Sequence, residues 1–349
     1  EEKLISFDMG GTSTDVALID GKVETTTEGS LGSYPVSVPM LDMQTIGAGG
    51  GSVAFIDAGG LLRVGPESAG ARPGPACYDQ GGIEPTVTDA HLVLGRLSEE
   101  SGLAGGLKLD KGLAFAAIKR LSVPLKLSVE EVANGIIKIA NEHMMTAIRL
   151  ISVNRGHDPK DFSLMSFGGA GGLHVCEIAD GMRMEKAVMP VYGGVLSALG
   201  MLVAEQGRQF VRTVNFILDN LSENEIETRF AEIFEEGRQT LIGEGINKEA
   251  LKADYSADCR YRGQSYTLNI PWDGLPRCSM RFGNLHEQRY GYSLQSAVEI
   301  VNLRVSVYVP AINFSLSDCS QTDGLYNFCI REPGIDDRDR ELFHREALK

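Results

Sequence analysis

Basic residues are scarce in this chain. Thirty-three lysines and arginines stand against 47 aspartates and glutamates, giving a net charge of −14. That balance argues against nucleic acid and against an anionic membrane surface as partners. No apolar run reaches the ~18 residues needed to span a bilayer, and no stretch reads as a signal peptide. The six cysteines (Cys77, Cys176, Cys259, Cys278, Cys319, Cys329) are scattered without a CxxC pair, which reads as reduced thiols in a cytoplasmic protein. A P-loop is absent too, since no GxxxxGK[ST] occurs. No internal repeat or low-complexity block stands out.

Glycine, by contrast, is abundant and uneven. Of 41 glycines, 32 lie in residues 1–207 and nine in residues 208–349. The chain length of 349 residues predicts two or three domains, and the glycine shift divides the chain in two: a loop-rich, ligand-shaping part at 1–207 and a conventional α+β part at 208–349.

The densest chemistry is at the start. Leu4–Phe7 and Val16–Ile19 are short apolar runs, and Asp20-Gly21 is a turn signal after the second. Between the runs lie Asp8, Gly10, Gly11, Thr12, Ser13, Thr14 and Asp15. Glycines let a backbone approach an anion and expose its N–H groups. The hydroxyls add donors, and Asp8 and Asp15 offer hard oxygen atoms suited to Mg²⁺ or to orienting a water. The pattern reads as a triphosphate clamp on a β-hairpin.

Two further glycine clusters follow. Gly47–Ser52 runs into a strand and reads as a second loop of backbone donors. Gly168, Gly169, Gly171 and Gly172 separate a buried strand, 161–167, from a helix at 175–182, so that free N–H groups and a helix dipole would face a nucleotide. His174 beside them reads equally as a structural hydrogen-bonder or a ligand. The Gly/Pro-rich segment 65–89 reads as lining the site with Ser68, Arg72, Cys77, Tyr78, Thr86, Thr88 and Asp89, the last as a helix N-cap. Ser128-x-x-Glu131 and Ser222-x-x-Glu225 are capping boxes ahead of amphipathic helices. Gly156 reads as ending the first of these, and Tyr192–Leu202 as a small-residue helix packed closely on the nucleotide-side strands. His286, Glu287 and Tyr290 read as structural. From Ser315 onward the pattern is weak.

Taken in order, several blocks resemble the hydantoinase A/5-oxoprolinase family, which includes subunits of acetone and acetophenone carboxylases. They are DMGGTSTDVALI at 8–19, TIGAGGGSVAFID at 45–57, GPESAGARPGPACYDQGG at 65–82, PTVTDAHLVLGRL at 85–97 and SFGGAGGLH at 166–174. GVLSALGML at 194–202, YRGQSY at 261–266, HEQRYGY at 286–292 and EIVNLRV at 299–305 continue the run. The resemblance implies an α/β fold of the actin/Hsp70/sugar-kinase type, with a ribonuclease-H-like half and a second α+β domain. It implies ATP and Mg²⁺, with Asp8 to Asp15 as a phosphate loop and Gly168 to Gly172 near the adenosine. It implies opening of a cyclic amide such as a hydantoin or 5-oxoproline by phosphorylation of the amide oxygen. Asp8 and Asp15 would be catalytic, with Asp8 on the metal.

Family members also carry another DxGGTxTD loop upstream and continue past residues 345–349. The resemblance therefore implies a piece of a longer protein, weakly active alone, that forms an oligomer and works with a second, hydantoinase B-type subunit. Two other readings use the same residues: an ATP-using subunit of a ketone carboxylase, and a nucleotide-gated binding module without small-molecule chemistry.

Overall fold

The computed structural model describes residues 2–311, apart from 24, 27, 28, 32, 33, 37–39, 101, 102, 104, 105 and 191. The weakly patterned region from Ser315 lies outside the described residues. The fold is mixed α/β and divides into two compact units, one of residues 1–199 and one beginning at Gly200. Among the described residues, no helix is long and apolar enough to cross a membrane.

In the first unit the opening pattern folds as predicted. β1 (Lys3–Met9) and β2 (Thr14–Asp20) pair antiparallel. Ile5, Phe7 and Met9 on β1, and Thr14, Val16 and Leu18 on β2, are buried. The residues between them are half-exposed, so the hairpin has one core face and one open face. β3 (Met43–Ile46) pairs with β2. β4 (Ser52–Ile56) and β5 (Leu62–Ser68) form a separate hairpin. Three helices follow: α1 (Val87–Val93), α2 (Lys111–Leu125) and α3 (Val129–Ile151). β6 (Ser163–Phe167) then runs parallel to β1, α4 (Val175–Met182) follows it, and β7 (Ala187–Val188) lies parallel to β6.

α3 starts where the sequence says it should. Ser128 Oγ accepts from the Glu131 N–H at 3.1 Å, and the Glu131 carboxylate accepts from the Ser128 N–H at 2.7 Å. Val132, Ile136, Ala140, Met144 and Ile148 recur at helical spacing and are buried in the same core as Ile5, Phe7 and Val16. Burial of each large side chain in that core contributes about 1.5–3 kcal/mol.

Several local expectations are corrected. Asp89 is not an N-cap: Thr86 caps α1, and Asp89 sits three residues inside as its capping-box partner. Its buried carboxylate also accepts from the Ala76 and Cys77 N–H groups, fastening the 65–89 segment to α1. α3 ends at Ile151, and Gly156 closes the short 3₁₀ turn after it. The helix in Tyr192–Leu202 is α5 (Leu196–Val203), which buries none of its residues; the close approach to the strands is made ahead of it by Gly193, which is buried against Ser166 and Phe167 of β6.

The second unit is a four-stranded antiparallel sheet in the order β8 (Gln206–Ile217), β11 (Val298–Val309), β9 (Lys252–Tyr261), β10 (Leu268–Pro271). α6 (Glu223–Gly243) and α7 (Leu275–Tyr290) bury Ile226, Phe230, Ile233, Cys278 and Phe282 with Ala257, Cys259, Ile300, Leu303, Val305 and Val307. The alternating positions carry a polar network centred on Asp258 and Arg304. His286 is buried and bonded to Gln264 and the Tyr292 carbonyl, as its structural reading requires.

Candidate functional site

Three glycine-rich segments meet at the tip of the β1–β2 hairpin. The tip is pinned by the Gly10 N–H donating to the Ser13 carbonyl at 3.0 Å. The N–H groups of Gly11, Thr12 and Ser13 find no protein acceptor among the described residues. A row of unengaged donors at an exposed turn is what an oxyanion of a phosphate needs. Thr14, expected among the phosphate ligands, instead turns inward: it is buried, and its hydroxyl donates to the Ala48 carbonyl at 2.5 Å.

Asp8 and Asp15 are direct cross-strand partners on the open face of the sheet. Such neighbours stand about 4.5–5.5 Å apart at Cβ, and like charges there repel. Each carboxylate has one hydroxyl partner. Ser197 Oγ at the start of α5 donates to Asp8 Oδ2 at 3.0 Å, and Thr45 Oγ1 donates to Asp15 Oδ1 at 2.5 Å. Two adjacent carboxylates beside free N–H donors fit Mg²⁺, which binds through one or two carboxylates together with phosphate oxygens. Among the described residues no group of three or more His, Cys, Asp or Glu side chains is placed to hold a metal ion.

The second glycine loop has a different task from the one expected. Its donors are not free: Gly50 N–H bonds the Gly10 carbonyl at 3.0 Å and Gly51 N–H bonds the Gly11 carbonyl at 2.6 Å. The loop is a prop under the hairpin. Glycine is required there, since a Cβ on Gly49 would lie 2.6 Å from the Thr12 nitrogen. Thr88 on α1 holds the prop, donating from both its N–H (2.8 Å) and its hydroxyl (2.7 Å) to the Gly50 carbonyl.

The third cluster grips the other side. The Ala170 N–H donates to the Met9 carbonyl at 3.0 Å. Gly168 has φ of +81°, and a Cβ on it would overlap Asp8 Oδ1 and the Met9 carbonyl, so only glycine lets this loop lie against Asp8. Gly171 to Leu173 form a 3₁₀ turn and α4 begins only at Val175. The helix keeps the bounds expected from sequence, Val175–Met182, and the 3₁₀ turn is interposed between the glycines and its first residue. Gly169, Gly171 and Gly172 keep N–H groups without a protein acceptor among the described residues.

His174 lies behind that loop and is wholly buried. Its Nδ1 is 2.6 Å from Asn141 Oδ1 and its Nε2 is 3.0 Å from His91 Nε2. Asn141 donates to Glu177 at 2.7 Å, and Glu177 accepts from Arg96 at 2.6 Å. Sequence reasoning missed this chain and Ser197, because each bond joins residues far apart in sequence.

Burial, with the Arg96 charge adding to it, pushes the His174 imidazole down to about 3. Burial, then His174 and Arg96, holds His91 well below its ordinary 6.5. Both imidazoles are neutral when folded and take a proton near 6.5 when unfolded. The stability they confer is therefore complete above pH 6.5 and is lost as pH falls toward 3. At pH 5, His174 alone should cost the fold about 2 kcal/mol relative to pH 7, with His91 adding in the same direction. Urea unfolding at the two pH values measures this, and the His174 ring resonances should not titrate in between; a ring that titrates near its ordinary value would contradict it.

Comparison with known proteins places the chain among relatives. The hydantoinase/oxoprolinase family profile matches residues 1–209. An uncharacterized protein of Methanocaldococcus jannaschii is 43% identical over 323 residues, covering 88% of this chain and 47% of that protein. The caprolactamase subunit alpha of Pseudomonas jessenii is 37% identical over 319 residues, covering 88% and 46%. Among solved structures, the ATP-dependent caprolactamase from Pseudomonas jessenii aligns with a TM-score of 0.72 at 34% identity, covering 90% and 48% of the two chains. A nucleotide-free acetone carboxylase aligns with a TM-score of 0.74 at 25% identity, covering 88% and 47%. The chain spans about half the length of these relatives.

Proposed function

Because the chain belongs to the hydantoinase/oxoprolinase family, we propose that it is the ATP-using part of an enzyme that opens a cyclic amide, a hydantoin, 5-oxoproline or a lactam. The observation that carries the reading is the β1–β2 hairpin, with its free N–H groups at Gly11, Thr12 and Ser13 next to the Asp8–Asp15 pair. A ribonuclease-H-like half of the actin/Hsp70/sugar-kinase type is the architecture this reading assigns to the first unit.

A bare amide is a poor electrophile, and ATP with Mg²⁺ supplies a phosphoryl group that turns its oxygen into a leaving group. The chain's own residues bind and orient. The N–H groups of Gly11, Thr12 and Ser13 would receive phosphate oxygens, whereas that of Gly10, expected among them, is spent on the Ser13 carbonyl. Asp8 would hold the metal, with Ser197 fixing one carboxylate oxygen and Gly168 lying against the other. Asp15, steadied by Thr45, orients water or metal. The N–H groups of Gly169, Gly171 and Gly172 face the nucleotide. Thr14 drops out of the ligand set and serves instead to lock the hairpin to Ala48.

The relative named as a subunit alpha supports a second subunit and an oligomeric assembly, which this reading places in the cytoplasm. The likeness to acetone carboxylase supports a second reading, a carboxylase subunit that phosphorylates a ketone or bicarbonate through the same residues. An ATPase assay on the full-length protein with its co-purifying partner separates them. Stimulation by a hydantoin, 5-oxoproline or a lactam is the expected result. Stimulation only by a ketone with bicarbonate would replace it with the carboxylase reading. A rate indifferent to all of them would leave a nucleotide-gated binding module.

A further inference from the structure

The hairpin is held from two sides by loops that are themselves joined behind it. On one side Gly50 and Gly51 bond the Gly10 and Gly11 carbonyls, and Thr88 ties that loop to the first turn of α1. On the other side Ala170 bonds the Met9 carbonyl, and the same loop runs directly into His174 at the start of α4. One turn along α1 from Thr88 stands His91, whose Nε2 is 3.0 Å from His174 Nε2. The ring of bonds is thereby closed: hairpin, Gly49–Gly51 loop, α1, His91, His174, Gly168–Gly172 loop, hairpin.

The direction of every hydrogen bond in the chain follows from its outer end. Glu177 accepts from Arg96 and from the Asn141 amide N–H, so Asn141 presents its carbonyl oxygen to His174. His174 Nδ1 must then carry a hydrogen and donate. A neutral imidazole has one hydrogen, so His174 Nε2 is a bare acceptor. His91 Nε2 must carry the hydrogen that fills the 3.0 Å gap, which leaves His91 Nδ1 bare. That atom is indeed buried with no hydrogen-bond partner. The other His91 tautomer would set two bare nitrogens against each other across the same gap and bury an unmet N–H at Nδ1, so a single tautomer pair is selected.

Resting on the ATP-using reading above, we propose that His91 and His174 form a neutral, tautomer-locked pair that fixes the spacing of the two loops gripping the phosphate hairpin, and that His91 is a positioning residue for phosphoryl transfer. Both imidazoles are buried. Their effect passes through Thr88 to the Gly10 and Gly11 carbonyls and through the Gly168–Gly172 loop to Asp8.

The test uses the full-length protein. His91→Leu removes the donor, while His91→Gln keeps an amide N–H for His174. His91→Leu should lower kcat for ATP hydrolysis about ten- to a hundredfold, with a much smaller change in KM for ATP, since a displacement near 1 Å away from the chemistry has that scale of effect. His91→Gln should recover most of the rate. Nitrogen-15 NMR of the wild type should find hydrogen on His174 Nδ1 and on His91 Nε2. A merely structural pair would lower the melting temperature of His91→Leu and leave kcat unchanged below it, and that result overturns the proposal. So do equal losses in both variants, or the opposite tautomers. Should His91→Leu fail to fold, the glutamine variant and the tautomers still decide. A wild type with no ATP turnover under any substrate would refute the proposed function instead, while the tautomers would still judge the pair.

Discussion

Replacing Asp8 with alanine in the full-length protein is expected to lower ATP turnover about a thousandfold while leaving the fold as stable as before, or slightly more stable. The loss follows from where Asp8 sits. It offers the open face of the sheet a carboxylate with one oxygen held by Ser197 and the other lying against Gly168, and a prearranged charged group at a phosphoryl-transfer site contributes on that scale. The unchanged stability follows from its partner. Asp8 and Asp15 face each other across the hairpin, and removing one of two opposed like charges relieves up to about 1 kcal/mol of repulsion. Wild-type protein should gain melting temperature on adding MgATP, because a ligand that binds only the folded state stabilises it. Asp8→Ala should not. A variant that kept turning over would remove Asp8 from the mechanism. A variant that lost activity together with several degrees of melting temperature in the absence of ligand would mean that Asp8 holds the fold and not the phosphate. Ser197→Ala, which frees the same carboxylate without removing it, should show a smaller loss of the same kind.

The hairpin could be read from sequence because both of its strands announce themselves by alternation and its tip by composition. The caps at Ser128 and Ser222 are legible for the same reason: each is a short-range pattern that carries its own partner three residues away. Asp89 shows the limit of that logic. A local reading made it the cap, whereas Thr86 caps the helix and the Asp89 carboxylate is drawn to N–H groups 12 and 13 residues back in the chain. The Gly47–Ser52 loop shows it again. Its composition correctly signalled a backbone rich in donors, but composition does not say who accepts, and the acceptors are the hairpin's own carbonyls. His91 and His174 are 83 residues apart, and Ser197 and Asp8 are 189 apart. No local pattern predicts such bonds, yet they orient the groups that the local patterns did identify. What sequence exposes here is the inventory of the site; what folding adds is the set of constraints that give the inventory a geometry.

The second unit offers the other large effect, on stability rather than turnover: Arg304→Met should destabilise it by about 3–5 kcal/mol. Asp258 and Arg304 are 2% and 8% exposed. Arg304 donates from Nε to both carboxylate oxygens at 2.8 Å and from Nη2 to one of them at 2.8 Å. Asn269 and Asn302 donate to the same carboxylate at 2.9 and 2.8 Å. Burial alone would raise the Asp258 carboxyl, but the bonds from Arg304, Asn269 and Asn302 outweigh it and hold it below its ordinary 3.8. Without Arg304 a buried carboxylate is left on two neutral amides, and breaking such a pair from one side carries a penalty of that size. The sign of the pH dependence tells the mechanism. The wild-type group has a depressed value, so its stabilisation is present above pH 3.8 and is lost as pH falls below it. In Arg304→Met burial wins, the value rises above 3.8, and the folded state gains relative to the unfolded as the carboxyl takes a proton. The gap between variant and wild type should therefore narrow as the solution is acidified. Asp258→Asn should destabilise the wild type, where it discards the bidentate bond, and stabilise Arg304→Met, where it discards an unpaired charge. Urea unfolding can follow this unit by itself, because the chain has one tryptophan and Trp272 packs against Phe230 in this core, with ring centroids 5.3 Å apart. Equal destabilisation by Asp258→Asn in both backgrounds would show that side-chain shape, and not the buried charge pair, is what the sheet depends on.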